Sequence, residues 1–279
     1  METAVHLYQI AYSQATLEQL EPGYALLDNL ANERPDWYEY WPIRRFLREA
    51  TLDDDAFYGF FSPKFGFKTS LTHEQVQAFV REAAPTADVV LFSPQPDMGA
   101  FFLNVFEQGE TFDAGLIAAY EAFLSHIGRP VPLRNLVMDS RQTVFSNYFV
   151  ARPAFWRAWL ALNEAMFAIC EGADGELKAA LTAATSYPSS GVLGAQRKVF
   201  LMERAASLLL ATQPWRSVAH NPFGMGWSVS RFRDHPTEAY ISDALKIAWR
   251  DQRYPQYLQA FATIRDRFRS AVAGMQPAA

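Results

Sequence analysis

The feature that most constrains this fold is an alternation running through the first half of the chain. Short apolar runs, HLYQIAY, GYALLD, AFYGFFS, ADVVLFS and RNLVMDS, are separated by longer stretches of helical periodicity. Each run spans only a few residues, carries aromatic or β-branched side chains and stops at a polar residue, Pro or Gly, which favours strand over helix. The intervening PDWYEYWPIRRFLREA, THEQVQAFVREAA and DAGLIAAYEAFLSHIG read as helices. The second opens on Thr72 with Glu74 and Gln75 in its first turn, a good helix-start signal. Strands alternating with helices predict an α/β fold whose central sheet is mostly parallel and covered on both faces.

The second half changes character. RPAFWRAWLALNEAMFAICEG and QRKVFLMERAASLLLAT are helix-like, joined by the Pro/Ser/Gly-rich loop TSYPSSGVLGAQ, and SDALKIAWRDQRYPQYLQAFATIRDRFRSAV supplies the C-terminal helices. The tail AVAGMQPAA is expected to fray. The expected organisation is a single domain over residues 1–279. An α/β half (1–144) and a mainly helical half (145–279) share one core, and 145–195 is the only candidate boundary.

Several function classes are excluded by composition. A net charge of −5 lacks the basic footprint of a nucleic-acid binder. The single cysteine, Cys170, precludes an intrachain disulfide framework and suits a reducing compartment. The five histidines are scattered, with no zinc spacing. METAVHLYQIAYSQ has no basic n-region, so it reads as a strand rather than a leader. No apolar run reaches the roughly 20 residues of a membrane span. The expectation is a soluble, cytoplasmic protein with no transmembrane segment.

In an open parallel sheet, ligands bind beyond the carboxyl ends of the strands. Asp53, Asp54 and Asp55 precede their strand and so belong to the opposite edge, as a solvated turn. The far end of the same strand brings Ser62, Lys64 and Lys68 to the binding edge. Applied to every strand, the rule lines up Ser13; Asp28 and Asn29; Ser93, Gln95 and Asp97; and Asp139 and Ser140. Lysines there would meet phosphate, and acids and amides would grip hydroxyls. The expectation is that Ser13, Asp28, Lys64, Asp97 and Asp139 surround one hollow.

Neither dinucleotide nor P-loop glycine signatures occur, nor a G-x-S-x-G elbow. Cys170 reads as a buried filler. FFLNVFEQGETFDAGL carries Asn104, Glu107, Gln108 and Glu110, either on a helix with a polar face or on a loop offering carboxylates. In QRKVFLMERAASLLL, Glu203 and Arg204 form either a solvated face or a buried ion pair.

Taken in order, these segments resemble the bacterial GT-A-type glycosyltransferase-like proteins of capsule and lipopolysaccharide biosynthesis. The resemblance rests on Asp28-Asn29 after the first strand, on Glu39, Tyr40 and Trp41 opening a helix in YEYWPIRRFL, and on FYGFFSPKF with Lys64. NYFVARPAFWRAW and QRKVFLMERAASLLL carry it further, over roughly residues 5 to 215. It implies a Rossmann-like, GT-A-like core with a helical C-terminal half. It also implies transfer of a sugar from a nucleotide-sugar donor to a surface polysaccharide or glycolipid.

By this resemblance, Ser13, Asp28, Asn29, Lys64, Lys68 and Arg204 would bind the donor. Asp97 stands nearest to the absent D-x-D and would hold a divalent metal, Mn or Mg. Asp139, Glu107 or Glu110 would act as general base. Partners would be the nucleotide-sugar and a glycan acceptor, with no nucleic acid and with peripheral contact at the inner membrane. Two rival expectations stand beside it. One is a catalytically inactive glycosyltransferase-like scaffold. The other is a nucleotide-independent carbohydrate enzyme with two carboxylates across a cleft.

Overall fold

A computed structural model describes residues 3–185 and 195–273. Most of the expected TSYPSSGVLGAQ loop, and the tail beyond residue 273, lie outside the described residues. The chain runs β1 (Val5–Ala11), α1 (Gln14–Glu18), β2 (Ala25–Asp28), α2 (Tyr40–Glu49), β3 (Phe57–Phe61), α3 (Phe65–Thr69), α4 (His73–Ala83) and β4 (Val89–Leu91). It continues through α5 (Pro96–Ala100), α6 (Val105–Phe112), α7 (Leu116–His126), β5 (Phe149–Ala151), α8 (Pro153–Glu171) and α9 (Glu176–Thr182). It ends with α10 (Arg197–Glu203), α11 (Ala205–Thr212), β6 (Ser217–Ala219), α12 (Pro236–Gln252) and α13 (Pro255–Ala273).

The fold is mixed α/β around a six-stranded, mostly parallel sheet of order β2-β1-β3-β5-β4-β6. β1 pairs parallel with β2 and with β3, and β4 pairs parallel with β6; β5 runs antiparallel between β3 and β4. Strand alternation splits the core into two layers. Leu7, Phe57, Phe61, Val90 and Val150 face α3 and α4, where Phe65, Val76 and Val80 are buried. Ile10, Tyr58, Phe60, Leu91 and Phe149 face the larger layer, with Ile43 of α2, Trp156 and Trp159 of α8, and Leu208 of α11. Trp156 stacks on Phe149 with centroids 4.4 Å apart, and its Nε1 donates to the Tyr58 carbonyl at 2.9 Å. Among the described residues, no helix is long and apolar enough to cross a membrane.

The helix expected from Thr72 forms with a complete capping box. Thr72 Oγ1 accepts from the Gln75 N–H, and Gln75 answers the Thr72 N–H. Other elements depart from expectation for local reasons. The helix expected from Pro35 begins only at Tyr40. A 3-10 turn covers Pro35–Trp37, Tyr38 has φ 48°, and Pro42 then falls in the first helical turn, where no N–H is needed. The run Arg134–Ser140 is not a strand: its backbone is held by the Asn104 amide on the Leu136 carbonyl at 2.7 Å and by Met138 N–H on the Leu103 carbonyl at 2.9 Å. FFLNVFEQGETFDAGL carries helix α6, capped by Asn104. The QRKVFLMERAASLLL helix breaks at Arg204 into α10 and α11. Asp53, Asp54 and Asp55 are an exposed turn before β3, as expected.

Candidate functional site

A cleft of about 470 Å³ opens at the carboxyl ends of β1, β2 and β3. Ile10 and Tyr12 come to it from the end of β1, and Asn29 and Asn32 from the loop after β2. Tyr38 and Glu39 enter from the approach to α2. Ser62 and Lys64 come from the β3–α3 connection, and Lys68 from α3 itself. The walls therefore arise where three neighbouring parallel strands release the chain, the place the sheet rule designates.

The wall carrying Glu39 is fixed from behind. Asp36 receives the buried Lys198 ammonium at 2.7 Å, and that ammonium lies 3.8 Å over the ring of Trp37, itself 1% exposed. A cation held by both a carboxylate and an aromatic face anchors the turn that delivers Tyr38 and Glu39. The opposite wall is tied to the sheet. Ser62 Oγ and the Tyr148 hydroxyl are 2.5 Å apart, and Lys68 Nζ donates to Ser146 Oγ at 2.8 Å. The Ser146 N–H donates in turn to the Glu203 carboxylate. Ser146 and Asn147 both adopt left-handed backbone, φ 59° and 53°, a conformation that costs a non-glycine residue about 1–2 kcal/mol. That turn aims Ser146 and Tyr148 at α3. Gly226 closes the far side: its N–H donates to the Lys68 carbonyl at 2.9 Å, and a Cβ there would come within 2.6 Å of that oxygen.

The electrostatics are mixed. Lys64 is exposed, and its ammonium makes no hydrogen bond or ion pair among the described residues. Glu39 is half-buried, and its carboxyl is pushed up to about 7. Desolvation is the largest cause and Glu203 the second, against the opposing pull of Lys68, of its own N–H and of Lys64. Burial raises the Tyr148 phenol strongly, so it stays protonated as a hydrogen-bonding partner.

The cleft brings together Asn29, Ser62, Lys64 and Lys68 from the residues expected at the rim. Asn29 is 4% exposed, and its amide points to Asn32 Oδ1 at 3.5 Å. Ser13 stands one residue beyond Tyr12 and spends its hydroxyl capping α1 through the Thr16 N–H at 3.2 Å. Asp28 is exposed and accepts from the Leu30 N–H at 2.9 Å.

The remaining expected residues are not at this cleft, because β5 intervenes between β3 and β4 and because their charged atoms are already committed. Asp97 is fully buried, with one oxygen on the Ser228 N–H at 3.0 Å and the other on the Ser228 and Ser230 hydroxyls. Asp139 is fully buried beneath Arg141 and Arg250, at 2.9 and 2.7 Å. Burial alone would raise its carboxyl, but the Arg141 hydrogen bonds and the two guanidinium charges hold it below the ordinary range.

Glu107 binds the Leu103 N–H at 2.6 Å and Arg265 at 3.1 Å. Glu110 takes the Gly115 and Ile117 N–H groups at the start of α7. Arg204, 3% exposed, holds the Val105 and Phe200 carbonyls and Gln108 Oε1. Among the described residues Glu203 and Arg204 are not joined in an ion pair; Glu203 serves the Ser146 N–H and Arg204 the α6 end. Among the described residues, no group of three or more His, Cys, Asp or Glu side chains is placed to hold a metal ion. Asp97, with both oxygens occupied, does not fit a divalent ion.

The cleft also contains groups not assigned to it from sequence. Tyr12 follows β1 directly, and Asn32, Tyr38 and Glu39 lie in the connection from β2 to α2. Extending the strand-end rule from the last residue of each strand to the whole loop behind it would have found them. Ser146 and Tyr148, in the turn before β5, and Glu203, at the end of α10, stand behind the Ser62 and Lys68 wall through long-range hydrogen bonds. Comparison with protein-family models, with curated proteins and with solved structures gives no match to this chain.

Proposed function

We propose that the protein is a glycosyltransferase with a Rossmann-like, GT-A-like core, and that its cleft binds a nucleotide-sugar for transfer to a surface polysaccharide or glycolipid. The observation that carries the reading is the pair Lys64 and Lys68 on the rim formed by three parallel strands, with the Lys64 charge unneutralised by any acid bonded to it. Lysine supplies point charge to phosphate oxygens without requiring a fixed bidentate geometry. Tyr12, 42% exposed, and Tyr38 offer ring faces to a base or sugar, and Asn29 and Asn32 offer donors and acceptors to ring hydroxyls. A cleft of about 470 Å³ is within the range that encloses a small organic ligand.

In this reading the lysines stabilise the charge that collects on the leaving phosphates, a task requiring donors already in position. Phe67, 88% exposed on α3 between the two lysines, gives a lipid-borne acceptor an apolar contact at the cleft mouth, which suits work at the periphery of a membrane. The test is a thermal-shift and calorimetric titration with UDP-, GDP- and CMP-sugars. At least one should bind, and Lys64→Ala and Lys68→Ala should each weaken it about tenfold, with Lys64→Ala leaving the melting curve unchanged. A flat response to every donor would remove the transferase reading and leave the scaffold.

A further inference from the structure

We infer that Glu39 is the catalytic residue that takes the proton from the acceptor hydroxyl in this cleft, an inference resting on the nucleotide-sugar reading above. Glu39 stands where α2 begins, and Lys64 and Lys68 where β3 passes into α3. The same cleft therefore receives a carboxylate from one connection and cations from another.

Glu203, and each carboxylate expected from the sequence to act as base, is engaged elsewhere. Glu203 receives the Ser146 N–H, Asp139 two arginines, Glu107 Arg265, and Glu110 the start of α7. The Glu39 carboxylate takes a hydrogen bond from its own N–H and none from any side chain among the described residues. A base needs such unoccupied lone pairs. Its environment supplies the second requirement. Partial burial and the Glu203 charge, opposed by Lys68 and Lys64, set the carboxyl near neutrality, where proton transfer is most effective. Tyr148 and Tyr38 are the other titratable groups that sense its charge, and both are held neutral by burial.

The step is a single displacement. The acceptor oxygen forms a bond to the anomeric carbon of the donor. The bond from that carbon to the phosphate oxygen breaks, with its electron pair leaving on the nucleotide beside Lys64 and Lys68. The acceptor proton passes to a Glu39 oxygen and then to water through the open mouth. Configuration at the anomeric carbon inverts.

The experiment uses the whole chain, the nucleotide-sugar selected by binding, and water as the simplest acceptor. Release of nucleotide is followed from pH 5 to 9 in the wild type, Glu39→Gln and Glu39→Asp. The wild-type rate should rise with a midpoint close to 7. Glu39→Gln should lose about 100-fold or more in kcat together with that pH dependence, while binding the donor within a few-fold of wild type. Glu39→Asp should retain part of the rate, with its profile shifted. Free nucleotide should bind Glu39→Gln tighter than wild type at pH 8 and equally at pH 5.5, since only the ionised carboxylate opposes the phosphates. Donor binding with an unchanged rate and profile in Glu39→Gln would overturn the role of Glu39 alone. Failure of the wild type to bind any nucleotide-sugar would overturn the reading of the cleft, and this inference with it.

Discussion

Lys68 Nζ and Ser146 Oγ are 2.8 Å apart although 78 residues separate them in the chain. The bond joins α3 to the turn entering β5, and the same ammonium lies 5.4 Å from the centroid of the Tyr148 ring. Lys68 is therefore held toward the cleft by the sheet and not left to swing on its own stem. Ser146→Ala should release it at a cost of about 1 kcal/mol in unfolding free energy, and nucleotide affinity should fall two- to fivefold. Lys68→Ala should cost more affinity, about tenfold. Denaturant titration and calorimetry on the two variants check this; an equal loss of affinity in both would mean that Ser146 itself contacts the ligand.

Glu39 makes stability depend on pH in the direction opposite to an ordinary salt-bridged acid. Its carboxyl is raised in the folded protein to about 7, above the unfolded value. Between roughly pH 4.5 and 7 the folded chain therefore holds a proton that the unfolded chain has lost, and stability falls as pH rises through that window. Glu39→Gln should remove this slope. It should be about 1–3 kcal/mol more stable than wild type at pH 8 and indistinguishable from it at pH 4.5. Urea melts at the two pH values decide it, and a wild-type advantage at pH 8 would contradict the placement of the carboxylate.

How much of this was legible without coordinates depends on whether the determining interaction was local. β1, β3 and the Thr72-capped α4 follow from period and capping within a dozen residues. The rule of strand ends found Asn29, Ser62, Lys64 and Lys68. β6 and the antiparallel β5 have three residues each, and which strands they pair with is set by chain far away. Arg134–Ser140 has the composition of a strand, yet its hydrogen bonds go to an asparagine amide some 30 residues earlier, and composition does not reveal that. Asp97 was recognised as an acid after a strand. That Ser228, 131 residues on, would consume it was not written near it.

The closeness of Gly226 to α3 yields a further prediction. A methyl group at this position would lie 2.6 Å from the Lys68 carbonyl, a backbone atom with no freedom to swing aside. Gly226→Ala must push the segment around residue 226 away from α3 and strain the 2.9 Å bond between them. A loss of about 1–3 kcal/mol is expected, with a parallel weakening of nucleotide binding because Lys68 moves with its backbone. Full stability together with normal affinity would show that the contact is slack.

Asp97 separates a structural acid from a metal ligand. Its oxygens receive the Ser228 N–H and two serine hydroxyls in a fully buried site. Asp97→Ala leaves those donors unsatisfied and should cost about 3 kcal/mol or more. Nucleotide affinity measured below the melting transition should stay unchanged, with and without added manganese. Manganese-dependent binding in wild type that Asp97→Ala abolishes would restore the metal role expected from sequence.

Asp139 gives the sharpest contrast between a base and a keystone, since it was expected to act on the acceptor. Held below the ordinary carboxylate range, it contributes stability that is fully present above the unfolded value and is lost as pH falls through the folded one. Arg141 and Arg250 both point at it, so removing the charge takes the carboxylate from the partly buried Arg250 and leaves Arg141 with Asp251 alone. Asp139→Asn should cost about 3–5 kcal/mol at pH 7 and flatten the acid limb of the stability profile. Below its melting temperature, turnover should persist, because the residue has no exposed surface through which to reach a substrate. Intact stability with abolished turnover would reverse the assignment, and would require the two arginines to release it during the reaction.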